Sequence, residues 1–103
     1  MQKVSELPKL IETAQAKELP LLSESEAKAY IYKHESGNRT DAVNKSSGAC
    51  SLGQALPCSK LSSICPNWQT DYECDDKFFT SYMQNRYGTW QKAVEHFKLN
   101  NWW

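Results

Sequence analysis

Glu35, Ser36 and Gln54 are the residues whose types and placement best fit a piece of chemistry, and two of the four cysteines, Cys50 and Cys58, flank Gln54. Glu35 falls at the predicted C-terminal end of a helix, next to its buried face. That end of a helix carries partial negative charge, so a carboxyl there resists ionisation. Partial burial pushes the same way. A carboxylic acid that keeps its proton near neutral pH can protonate the leaving oxygen of a glycosidic bond. Taken on the helix alone, a solvated helix-end glutamate is the plainer explanation.

The elements that must hold these residues are legible in outline. Ser23 followed by Glu26 is a capping-box signature, and Glu24 and Glu26 suit the positive end of a helix. Ala27, Tyr30, Ile31 and His34 recur at helical spacing, and Ser36-Gly37 closes the helix. Residues 38–63 have no sustained period and are rich in Asn, Ser, Gly and Lys, which is loop chemistry, with a short hairpin weakly indicated between Ala42 and Leu56. Helical pattern returns at Asp75 and Asp76, through Phe78, Phe79, Tyr82, Met83 and Arg86, and stops at Gly88. Thr89 can cap a last helix whose stripe is Trp90, Ala93, Val94 and Phe97, ending at Asn100-Asn101. These two helices should form a hairpin against the Glu35 helix. Residues 1–22, with Leu7, Leu10, Ile11 and Ala14 as a short helical stripe bounded by Pro8 near its start and Pro20 after it, read as an arm or linker. Residues 23–103 make the domain.

Cys50, Cys58, Cys65 and Cys74 contain no CxxC pair, so a structural zinc site fits poorly and no metal is expected. An even number of cysteines in a small chain reads as two disulfides. Of the three connectivities, Cys50–Cys58 with Cys65–Cys74 is expected, since each closes one loop locally. Each such loop is worth about 2–3 kcal/mol in the chain-entropy account.

The ordered set His34-Glu35-Ser36-Gly37-Asn38, Asp41-Ala42-Val43-Asn44, Ser47-Gly48-Ala49 and Ser51-Leu52-Gly53-Gln54-Ala55 resembles the lysozyme-like peptidoglycan muramidases. The nearest likeness is to secreted transglycosylase domains related to resuscitation-promoting factors and aggregation-promoting-factor-like surface proteins. It covers about residues 23–103, including the stretch from Arg86-Tyr87-Gly88 to Trp103. The resemblance implies an α+β, mostly α, lysozyme-like fold: a compact helical domain with a loop-rich, disulfide-braced cleft wall. It implies that Glu35 is the catalytic acid and that Gln54 meets an N-acetyl group of the sugar. Ser36 hydrogen-bonds the acid or caps the helix. Tyr87 takes the place of a third family motif, although Arg86-Tyr87-Gly88 stands where longer transglycosylases carry Ala-Tyr-Asn. Cleavage would fall between N-acetylmuramic acid and N-acetylglucosamine, without a cofactor. Because no second carboxylate is marked, a lytic transglycosylase giving 1,6-anhydro products is preferred to a hydrolytic muramidase. Helix N-terminal placement accounts for Asp75 and Asp76. A non-catalytic wall-binding module of the same fold is the further alternative.

Other residues bear on partners. Neither His34, adjacent to Glu35, nor His96 stands at a spacing that serves Ser36 as a base, so no serine nucleophile is indicated. Aromatics are 12% of the chain, and sugar rings stack on aromatic faces; Trp68 and Tyr72, in the polar connection, are the expected cleft-lining pair. Trp102 and Trp103 are assigned to the core. Net charge is zero with both signs interspersed, which argues against nucleic acid as the partner. No apolar run approaches the ~20 residues of a membrane span. No apolar signal core follows Met1, so an export signal trimmed from the sequence is expected. The expected protein is a monomer, extracellular or wall-associated, acting on peptidoglycan glycan strands. Thiol titration under denaturing, non-reducing conditions should find no free thiol; four would end the extracellular assignment.

Overall fold

The computed structural model describes residues 22–103, which form four helices: α1 (Glu24–Ser36), α2 (Ser59–Ser62), α3 (Tyr72–Arg86) and α4 (Trp90–Asn100). Residues 1–21, and hence the expected arm except for Leu22, lie outside the described residues. The chain is mostly helical with very little strand. Only isolated antiparallel bridges, Val43 to Cys50 and Cys50 to Ala55, stand where a hairpin was weakly indicated.

α1 begins at the capping box, with the Glu26 N–H donating to Ser23 Oγ and the Ser23 N–H to Glu26 Oε1 at 2.9 Å. It ends at Gly37, whose φ of 65° turns the chain left-handed while its N–H returns to Lys33 O. Thr89 caps α4, and the carboxylate of Glu24 does so again from α1. Its two oxygens accept from Trp90 N at 2.7 Å and Gln91 N at 2.9 Å. An anion on the positive end of a helix is the favourable arrangement, and here it also fastens α1 to α4. These two helices share the largest helix–helix contact.

Tyr32 fixes α3 to the pair. Its ring meets Trp90 and Phe79 edge-on at 5.6 and 6.2 Å, and its hydroxyl donates to Asp76 Oδ1 at 2.7 Å. The stripe on α1 therefore differs from expectation. Ala27 and Ile31 are fully buried, but Tyr32 joins them, Tyr30 is half-buried and His34 is exposed. His34 instead stacks on Tyr30 with ring centroids 4.0 Å apart.

α3 also starts earlier than its pattern indicates. Asp71 is the cap, accepting from Cys74 N, so Asp75 falls one full turn in and faces the core. Asp75 is in the first turn, as expected, but the helix starts three residues earlier than its pattern indicates, so Asp75 is buried there. α2 is a single turn inside the segment read as loop.

Disulfides join Cys50 to Cys58 and Cys65 to Cys74. The first holds the bridged residue Cys50 to the start of α2, and the second holds the end of that turn to α3. Trp103 closes the core from the C-terminus: it is fully buried, and its indole N–H donates to Gly53 O at 3.1 Å. Gly53 is the position with no room. A Cβ there would lie 2.5 Å from Phe79 Cδ1 and 2.6 Å from Trp103 Cζ2. Gly53→Ala should therefore lower stability by about 1–3 kcal/mol, since both rings are locked in the core; an unchanged melting temperature would contradict this packing. Glu24→Gln should cost about 1 kcal/mol by weakening the shared cap, read as a lower melting temperature.

Candidate functional site

Glu35 lies four residues beyond Ile31 and eight beyond Ala27, so the helix period carries it onto a face that is otherwise core. It is half-buried, and burial pushes its carboxyl up to about 7. Among the described residues no hydrogen bond or ion pair stabilises its anion. The Glu35 charge is felt by Tyr82 of α3, whose hydroxyl is pushed up to about 12 mainly by burial. That hydroxyl donates to Trp103 O at 3.1 Å, so it is held by the core.

Ser36 connects this acid to the loop. Its hydroxyl faces the carbonyls of Tyr32 and Leu52, at 3.0 and 2.8 Å, and accepts from Arg39 N. One proton is shared between the two carbonyls. The hydroxyl therefore does more than cap the helix: it ties Leu52-Gly53-Gln54 directly to the residue after Glu35. Gln54 is buried, with φ at 60°, and its Nε2 donates to Ser51 O at 2.9 Å and to Ala42 O at 3.3 Å. Both amide protons are spent on shaping the loop. The geometry therefore favours a structural amide over a donor to substrate.

A second carboxyl lies under the same loop. Asp75 is fully buried; Ser51 Oγ donates to its Oδ2 at 2.8 Å, and its Oδ1 has no partner among the described residues. Burial pushes this carboxyl up to about 6, with the Ser51 hydrogen bond opposing and Asp71 adding to the shift. Sequence reasoning missed it, although Asp75, Phe79 and Met83 at four-residue spacing form one buried stripe.

The aromatic candidates separate. Tyr87 is half-buried and lies under Arg86, whose guanidinium is over the rings of Tyr82, Tyr87 and Trp102 at 5.9, 5.7 and 5.2 Å. Trp68 is half-buried and packs against the core. Tyr72, 43% exposed, lines a different concavity whose walls do not include Glu35. Trp68, the other expected cleft-lining residue, is not among the residues that line this concavity. Trp103 is core, whereas Trp102 is only half-buried against Arg86 and His96. Among the described residues no group of three His, Cys, Asp or Glu side chains is placed to hold a metal.

No family model matches the chain, and no curated protein or solved structure is significantly similar to it, so what the site can do rests on its own geometry. That geometry has a consequence for stability. With its folded value raised to about 7, Glu35 is neutral in both states at low pH and carries a penalty that grows as pH rises toward 7. Glu35→Gln should therefore raise the melting temperature above pH 7 and leave it unchanged near pH 4. A gain independent of pH would show that Glu35 is not held neutral by burial.

Proposed function

We propose that this chain is a lysozyme-like domain that cleaves the β-1,4 bond between N-acetylmuramic acid and N-acetylglucosamine in peptidoglycan, with Glu35 as acid and then base. The observation that carries this is the Glu35 carboxyl itself. It stands on a core-facing stripe, raised to about 7 by burial, with its neighbour Ser36 tied to the loop of Leu52 to Gln54. A surface carboxylate has no reason to occupy such a place. Tyr82, Tyr87 and Trp102, gathered around Arg86, supply ring faces on which sugars can stack. Two disulfides suit an extracellular or wall-associated setting.

In this mechanism the Glu35 O–H gives its proton to the glycosidic oxygen, and the C1–O bond breaks with its electron pair leaving on that oxygen. The muramic acid C6 hydroxyl then attacks C1 and returns its proton to the Glu35 carboxylate, forming a 1,6-anhydro ring. This substrate-assisted route is preferred to a nucleophilic aspartate. Asp75 is sealed under Ser51, and Asp41 is engaged by Arg39 at 3.2 Å. A hydrolytic muramidase would instead use water at C1.

Glu35→Gln should abolish clearing in zymograms on purified cell wall, a loss of about 10²–10⁴-fold, while the folded state persists. Retained activity removes the assignment. Wild-type activity should decline as pH rises through about 7, because the acid must carry its proton at the start of the cycle. Product masses should be one water lighter than those of hydrolysis; the heavier product would identify a muramidase.

A further inference from the structure

Asp75 is a buried ionisable group that the mechanism above does not use. Its side chain is fully covered, Ser51 Oγ donates to Oδ2 at 2.8 Å, and Oδ1 has no partner among the described residues. One hydrogen bond replaces little of the solvation that a carboxylate loses in such a place. A neutral carboxyl loses far less. Burial accordingly pushes Asp75 up to about 6.

The charges around it offer no relief. On α3, Asp71 raises Asp75 further and accepts from Cys74 N, while Glu73 pairs with Lys77 at the surface. From α1, Lys28 and the Tyr32 hydroxyl are both engaged by Asp76. In the loop Arg39 is paired with Asp41, and Lys45 is exposed, as are Lys60 of α2 and Lys92 of α4. The Cys65–Cys74 disulfide leaves no thiol to titrate beside Asp75. Among the described residues no cation forms an ion pair with it.

What rests on this carboxyl is the loop. Ser51 is itself fully buried with φ at 70°, and its carbonyl accepts from Gln54 N at 3.1 Å and Gln54 Nε2 at 2.9 Å. A residue other than glycine keeps that backbone conformation only while its surroundings hold it there. The carbonyl of the next residue, Leu52, lies 2.8 Å from the Ser36 hydroxyl, beside Glu35. We infer that Asp75 is a positioning residue whose proton latches this loop. Neutral, it seats Ser51, and hence the Leu52 carbonyl, against the last turn of α1. Ionised, it favours a loop lifted far enough for water to reach the carboxylate. With the loop closed Asp75 keeps its proton up to about 6, whereas in the open loop it ionises near the ordinary value of about 4. Opening therefore becomes easier as pH rises between those two values and levels off above them.

This latch extends the function proposed above, and none of its readouts needs a substrate. Amide hydrogen exchange tests it on the Glu35→Gln protein, which leaves Asp75 as the one raised carboxyl among the described residues. Corrected for intrinsic exchange, protection at Ser51, Gln54 and Ala55 should fall by about tenfold or more between about pH 4 and pH 7. Protection at Ala93 and Val94 of α4 should hold. Adding Asp75→Asn, which keeps the shape and removes the charge, should make the loop amides insensitive to pH. Unchanged protection in the parent, a fall that persists with Asp75→Asn, or an equal fall in α4 overturns the latch. Should Asp75→Asn fail to fold, the parent decides. Its Asp75 carboxyl carbon, followed by NMR, should titrate near pH 6, and a midpoint at the ordinary value of about 4 overturns the assignment.

Discussion

The backbone of Gly53 is pressed between Phe79 and Trp103, and most of the architecture follows from that contact. A loop can approach two aromatic rings that closely only if it carries no side chain there. Trp103 then bonds the Gly53 carbonyl, and Tyr82 bonds the carbonyl of Trp103. The last residue of the chain, the loop and α3 thus become one rigid body. Ser36 joins that body to the end of α1 through Leu52. The acid on the last turn of α1 is positioned by the same contacts that close the core.

Loops of this kind leave many backbone groups to satisfy, and a small chain has few strands to do so. Side chains take over that work. Gln54 holds the carbonyls of Ser51 and Ala42, Ser51 donates to Asp75, and Asn44 accepts from Ser46 and Ser47. Positive φ at Ser51 and Gln54 is the local cost of the turn. The disulfide at Cys50 anchors the same segment, whose residues 49–55 are all buried. Asp75 is the part of this arrangement least at rest, since burial opposes its charge and only one of its oxygens is bonded.

Two carboxyls raised by burial therefore stand in one domain for different reasons. Glu35 is half-buried, and among the described residues no hydrogen bond stabilises its anion, a setting in which a proton can be given and taken. Asp75 is sealed, and its partner Ser51 belongs to the loop it supports. Access separates an acid suited to chemistry from one suited to holding backbone.

Local signals in the chain were enough to place the ends of α1, the cap of α4 and the stripes of α4. A capping box, a glycine past the last turn and a threonine before an apolar stripe act over three or four residues, and no distant contact changes them. The helical character of the domain and its local disulfides were legible for the same reason. Tertiary contact decided the rest. Asp71 rather than Asp75 began α3, Tyr32 rather than His34 turned inward, and Trp68 packed against the core while Tyr72 stayed exposed. None of these follows from spacing, because each depends on which neighbour arrives from elsewhere: Asp76 for Tyr32, Ser51 for Asp75, Asn38 for Tyr72. Glu35 shows both parts, for its period alone put it beside the core, but only the packed chain could desolvate it.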